Sequence, residues 1–404
     1  MKERYSLRFH LAGAMAARAG DEMSGPALML AGFALAGSTT DASSLLAGIT
    51  LSAAIGGPVL GVLLDRAGRP GSLLAGALVL YAAGLGMILV GLGRLPFAVV
   101  ILIAVLTGLL GPALSGGWTA QLPRVMPSDR LPRANALDAM TFGLASLAGP
   151  ALAGGVAEVL GAPAAVVVSV VLIALALPFA WMVPARPGPV RGARTTSVIS
   201  NLAAGMRVIA GRRPLARATV TSVVSCVAQG MLTACVPLLG ERVLGGAGRG
   251  AVLLSCAAVS ALVANAVLAR YPCSVSPDTI IWVSVLVQAA ALALAAWGRP
   301  VALIVAVLMA GIGEGPQLAA LFAVRHREAP EHLRGQIFTT GASLKITGFA
   351  LGAAVAGPVV ARSLPGALAL AASVAVLAAL AFFAIPSVPE VVGGGQRGRR
   401  GNGP

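Results

Sequence analysis

The chain has 404 residues, of which 57% are apolar and only 11% are charged. Soluble domains carry roughly 25% charged residues, so this composition excludes a water-exposed globular surface and points to a protein immersed in lipid. The net charge of +15 would suit nucleic acid in a soluble protein, but here the arginines cluster between apolar runs, as membrane-flanking charge does, and no nucleic-acid partner is expected.

In chain order, twelve runs are long enough to cross a hydrocarbon core of ~30 Å at about 1.5 Å per residue. They span 9–37, 42–64, 71–93, 95–120, 136–158, 162–184, 216–240, 250–269, 278–298, 300–324, 336–361 and 364–386. The expected fold class is therefore an all-α integral membrane protein. The N-terminus does not read as a secretory signal, because Arg18, Asp21 and Glu22 interrupt its first apolar stretch. Between the second and third runs lies the turn Gly61 to Pro70, GVLLDRAGRP, which packs an acid, two arginines and two glycines into ten residues. Such a turn must sit in water and so fixes the register of its neighbours.

The basic residues set an orientation. With the N-terminus inside, only Arg94, Arg242, Arg249, Arg299 and Arg362 fall in outer loops, while Arg18 and Lys345 lie within spans and the rest are inside. The positive-inside rule then puts both termini in the cytoplasm of a multi-pass plasma-membrane protein. The division expected is an N-terminal six-helix bundle (1–184), a basic cytoplasmic linker (185–215), a C-terminal six-helix bundle (216–390) and a disordered tail (391–404). Within the linker region, 197–213 has amphipathic spacing. Two readings stand for it, a helix on the membrane surface or a short helix in a solvated linker.

The two halves read as a repeat. Gly111-Pro112 and Gly149-Pro150 in the fourth and fifth spans correspond to Gly315-Pro316 and Gly357-Pro358 in the tenth and eleventh, and the loops MPSDRLPRAN and APEHLRGQ lie between them. Paired repeats of this kind are a mark of secondary transporters.

Charge at mid-membrane costs several kcal/mol unless paired or hydrated, so the intramembrane charges are the candidate site. Arg18 precedes Asp21 by three residues and Glu22 by four, both favourable helix spacings. The two acids point about 100° apart, so Arg18 is expected to pair with one and leave the other to face a central cavity. The alternative is a plain internal salt bridge that locks the bundle. Glu314 and Lys345 lie at similar depth on consecutive helices and are expected to form a direct or water-bridged ion pair. Asp138 and Glu158 read as boundary residues of the fifth span, and Trp118 as an interface anchor. Gln229, Asn265, Gln288 and Gln317 either line a cavity or bond between helices. The cysteines Cys226, Cys235, Cys256 and Cys273, and the histidines His10, His326 and His332, show no metal-ligand spacing, so no metal site is expected.

With these pieces placed, the chain resembles the major facilitator superfamily, whose fold is two six-helix pseudo-repeat bundles. The sharpest match is the loop after the second span, which the family writes GxxxD[RK]xGR[RK]. Gly61, Asp65, Arg66, Gly68 and Arg69 fit it, and Pro70 departs from it. The resemblance implies that this loop latches the two halves at the cytoplasmic face. Asp65 would then meet the N-terminal end of the eleventh span through its dipole. Arg69 would seek an acid at the inner end of the fourth span, where the sequence offers Gln121. The fifth span resembles the exporter motif GxxxGPxxGG through Gly149, Pro150 and Gly154, with Ala145 and Ala153 replacing two glycines. GDEM from Gly20 and the loop LPRVMPSDRLPRAN resemble drug and macrolide exporters.

The implied function is proton-coupled efflux of small amphipathic molecules by alternating access, without cofactor and driven by the proton gradient. Its expected partners are substrate, protons and the bilayer, and a monomer is expected. The competing reading is a proton-coupled uptake symporter for a polar or anionic metabolite, which Arg18 and Lys345 would suit. No HExxH, GxSxG or His/Asp cluster supports a membrane enzyme.

Overall fold

A computed structural model describes residues 6–36, 39–185, 198–245, 250–271 and 275–385. Cys273, Arg249, most of the linker before residue 198 and the tail lie outside the described residues. Among the described residues the chain forms thirteen α-helices and no strand. They are α1 (Leu7–Ala36), α2 (Thr39–Arg66), α3 (Pro70–Gly91), α4 (Phe97–Gly108), α5 (Leu131–Leu160), α6 (Ala162–Trp181), α7 (Val198–Gly211), α8 (Arg213–Leu244), α9 (Gly250–Arg270), α10 (Pro277–Ala295), α11 (Pro300–Glu328), α12 (Arg334–Arg362) and α13 (Leu364–Ala384). In lipid a helix is the natural outcome for such runs, since it satisfies every backbone group within one segment.

Several helix ends are written locally. Pro70 and Pro300 sit in the first turns of α3 and α11, where no amide hydrogen is needed. Ser276 and Ser363 cap α10 and α13 through Thr279 N–H (3.2 Å) and Gly366 N–H (3.0 Å). Pro70 is thus a helix start, which gives a physical reason for its departure from a basic residue at that position.

Eleven helical spans are long and apolar enough to cross a membrane. The twelfth, α1, is also long enough at 30 residues, but Arg18, Asp21 and Glu22 lower its apolar character. It lies at the heart of the first half, packed on α5 and α6. The fourth span is not one uniform helix. After α4 the chain turns at Leu109–Leu110 and passes through a π-helical turn, Ala113–Gly117.

Two separate cores support two bundles. One joins buried residues from Ala14 to Val183, and the other joins residues from Ala228 to Ala375. Large apolar side chains such as Leu51, Leu80, Leu102, Leu175 and Leu377 stay exposed on the outside, as lipid contact permits. The halves meet at the end of the bundle that carries both termini. There α2 packs on α12, and α5 packs on α9 and α11. A small core of Ala120, Ala136, Ala139, Ala269, Ala319, Phe322 and Phe338 seals that junction.

Close backbone approach makes this seal. A Cβ on Gly57 or Gly61 would collide with Thr339 and Gln336 of α12. Helix α7 closes the same end. Gln336 Nε2 donates to Leu202 O (3.0 Å), and Ile209 joins Leu215, Ala329, Leu333 and Ile337 in one cluster. The helix that both readings of 197–213 allow is present, and it lies against α2, α8 and α12.

Candidate functional site

Arg18 does not pair with Asp21 or Glu22. Its guanidinium reaches Asp138 on α5, with Nη1 2.9 Å from Oδ1 and Nη2 3.3 Å from Oδ2. Arg18 is 2% exposed and Asp138 is 0% exposed. Asp138 is therefore an interior partner rather than a boundary residue. Both Nη atoms of Arg18 are hydrogen-bonded, and only Nε lacks an acceptor. Arg18 also donates to Thr141 Oγ1 and to Thr119 Oγ1 (2.9 Å), and it lies 3.7 Å from the Phe142 ring centroid. Thr119 in turn donates to Asp138 Oδ2 at 2.7 Å. The π-helical turn aids this by presenting Ser115 O to Nη2 at 3.4 Å. A buried pair survives only with such supplementary bonds.

The two acids of α1 diverge as their spacing requires. Asp21 Oδ1 accepts from Tyr81 OH at 2.7 Å, inside the first bundle. Glu22 is exposed on the other side, where Ser146 of α5 donates to Oε1 at 3.2 Å. A Cβ on Gly149 would lie 2.7 Å from the Glu22 Cβ, so the glycine of the Gly149-Pro150 pair lets α5 approach α1 beside that acid. Pro150 lies within the helix, and Gly154 faces open space with no packing demand.

On the second half Glu314 is exposed and Lys345 half-buried. Of the direct and water-bridged pairs expected, the direct one is absent: no N···O contact within 4.0 Å joins them. Glu22 and Glu314 are both exposed and belong to opposite halves, on helices α1 and α11 that do not pack together. Below them, Ser225, Gln288 and Gln317 form a buried network, with Ser225 Oγ to Gln288 Oε1 at 2.9 Å and Gln288 Nε2 to Gln317 Oε1 at 2.9 Å. Gln229 joins it at 3.4 Å. For these glutamines the reading as bonds between helices is the one realised. Asn265 is also buried, beside Gly315.

At the termini end, Asp65 receives the first amides of α12. Gly335 N donates to Oδ1 and Gln336 N donates to Oδ2, both at 2.8 Å. This is the eleventh span of the sequence numbering. Thr339 Oγ1 donates to Gly57 O at 2.6 Å, and Ser343 Oγ donates to Ala53 O at 2.6 Å. The row extends the contact for about three turns along α2. Arg66 ends α2. Gly68 meets nothing within 4 Å, and Arg69 is exposed and makes no ion pair among the described residues. Gln121 is buried with Oε1 unpartnered.

Sequence reasoning missed three residues. Trp118 is fully buried, edge-on to His10 at 5.4 Å, and is no interface anchor. His326 Nε2 lies 3.1 Å from Thr119 O and so bridges the halves. Arg325 is 2% exposed, with Nε and Nη2 unpartnered. An arginine in a run of termini-side basic residues gives no sign that it points inward. Among the described residues no group of His, Cys, Asp or Glu could hold a metal ion.

Two six-helix halves, joined at one end and lined with unpaired acids where they part, define the architecture of a secondary transporter. The chain belongs to the Major Facilitator Superfamily, whose family model matches residues 11–344. It is 31% identical over 360 residues to an uncharacterized MFS-type transporter, y4rN, of Sinorhizobium fredii, covering 85% of this chain and 87% of that relative. Among solved structures it is similar to the human organic anion transporter TETRAN, with TM-score 0.75 and 16% identity, covering 94% of this chain and 99% of that one. It is similar to the E. coli fucose:proton symporter, with TM-score 0.71 and 14% identity over 95% and 100% of the two chains. A bacterial homologue of the iron transporter ferroportin in the outward-facing state gives TM-score 0.75 and 15% identity over 93% and 98%. At these identities the structural likenesses establish the fold. The chain is a multi-pass membrane transporter.

Proposed function

We propose that this transporter exports small amphipathic molecules in exchange for protons, by alternating access, from the plasma membrane, as a monomer with both termini cytoplasmic. The observation that carries the coupling is the pair Glu22 and Glu314. Each is an intramembrane carboxylate, exposed where the halves part, with no cation within 4.0 Å among the described residues. A lone carboxylate is costly in lipid, so closing the halves around it requires that it first take a proton. Asp21, bound to Tyr81, is the weaker candidate of the three. Arg18 serves the structure through Asp138 rather than exchanging charge with the cavity.

The sealed end carries most of the basic residues, which supports its placement in the cytoplasm and this conformation as outward-facing. Asp65 and the Gly57, Gly61, Thr339 and Ser343 contacts then act as the latch that holds it. Export rather than import rests on the exporter-like Gly149-Pro150 pair, whose glycine lies against Glu22. Uptake of an anionic metabolite is the second reading, favoured by Lys345, a cation without an ion-pair partner at the cavity.

The test is flux in proteoliposomes under an imposed pH gradient, using a panel of amphipathic compounds. Efflux-type exchange should collapse in Glu22→Gln and Glu314→Gln. Gradient-driven flux that survives in both variants would remove the coupling assignment, and accumulation alongside protons would select uptake.

A further inference from the structure

The cations of this membrane interior are not equivalent. Arg18 is neutralised by Asp138 and donates from both Nη atoms, and only its Nε lacks an acceptor. Arg325 on α11 is equally buried, yet no carboxylate lies within 4.0 Å of it and its Nε and Nη2 have no acceptor. Its guanidinium stands 5.8 Å from the Phe338 ring centroid and against Gly341 of α12, where any Cβ would collide with it. Lys345 is one helical turn beyond Gly341 on the same face of α12. Glu314 lies eleven residues before Arg325, which returns it to the same face of α11 about three turns higher. Arg325 and Lys345, neither in an ion pair among the described residues, thus lie about one turn apart along α12.

A buried guanidinium with idle donors is costly, and the group that relieves the cost is an oxyanion able to take two parallel N–H bonds. Gln288 and Gln317 do not supply it, because they bond to each other and Ser225 bonds to Gln288. We infer that Arg325 and Lys345 form the subsite for an anionic head group, a carboxylate or sulfonate, on an amphipathic substrate. The apolar remainder of that substrate lies in the open cavity toward Glu22. This inference rests on the transporter reading and names the substrate class for it. The anion docks against Lys345, which forms no ion pair with Glu314.

The experiment is equilibrium binding to the purified full chain, without any gradient. The probes are naphthalene-2-carboxylate and its neutral isostere naphthalene-2-carboxamide, measured by calorimetry. The carboxylate should bind at least about tenfold more tightly than the amide, as expected for one charge-assisted hydrogen bond gained. Arg325→Gln and Lys345→Gln should each erase that preference, Lys345→Arg should keep most of it, and Arg299→Gln, in an exposed loop, should leave it unchanged. Lys345 is only half-buried, so its glutamine variant keeps the test open where Arg325→Gln does not fold. Equal affinity for the two probes, no carboxylate binding at millimolar concentration, or a preference untouched in Lys345→Gln would each overturn the inference. Loss of the anion preference leaves the coupling role of Glu22 and Glu314 standing. Intact binding with gradient-independent flux would do the reverse.

Discussion

Asp65→Asn is the most informative single change. The carboxylate accepts two backbone amides at the start of α12, each at 2.8 Å, and is 6% exposed, so solvent screens it little. Charge-assisted bonds contribute about 1.5–3 kcal/mol each, and the helix N-terminus adds about 0.3–1 kcal/mol. Asparagine keeps one acceptor but turns its amide hydrogens toward the second N–H. The net loss is about 2–4 kcal/mol, and it falls only on the conformation in which α2 touches α12. That conformation should therefore lose roughly thirtyfold to a thousandfold in relative population. The assay is pulsed electron spin distance measurement between labels at Arg94→Cys and Arg299→Cys. These exposed loops belong to different halves at the open end. Cys226, Cys235, Cys256 and Cys273 are first replaced by serine. The distribution should move toward shorter distances in Asp65→Asn. An unchanged distribution would refute the idea that Asp65 holds the sealed end.

Arg69→Ala should change the same distribution by less than about 0.5 kcal/mol, since an exposed arginine without an ion pair has little to lose. An effect equal to that of Asp65→Asn would contradict the asymmetry of the latch. Gly57→Val should weaken the seal by about 1–3 kcal/mol through overpacking against Thr339 and Ser343, read as inner-face thiol accessibility. Asp138→Ala should lower the melting temperature and yield sharply. It strands Arg18 as an uncompensated buried charge, a loss of about 3–5 kcal/mol, and normal stability would show that the pair is dispensable.

Span positions were legible because long apolar runs need helices, whereas the Asp65 contact was expected only from the resemblance of its turn to the family motif. A charged turn was expected in water, yet Asp65 is 6% exposed beneath the start of α12. Partner choice was not legible. The i+3 and i+4 rule put Asp21 and Glu22 beside Arg18, yet Tyr81 and Ser146 claim those acids, and Arg18 reaches Asp138 across to α5. Such contacts depend on helix rotation, and an all-apolar span carries no periodicity from which to read it. Trp118 was misread and Arg325 passed over for a related reason. Position near a span end is readable, but the direction of a long side chain is not. A direct Glu314–Lys345 ion pair does not form, since equal depth on neighbouring helices does not set their azimuth.

The central claim is that closing the halves over Glu22 and Glu314 requires a proton on each. The Arg94–Arg299 label distance, followed from neutral to acidic pH in lipid nanodiscs without substrate, tests it directly. Protonation removes the penalty for burying a carboxylate, so acid should shift the population away from the outward-facing state. The Glu22→Gln, Glu314→Gln double variant should sit in the shifted population at every pH. A distance distribution that ignores pH in the parent chain, or that still follows pH in the double variant, would contradict the account.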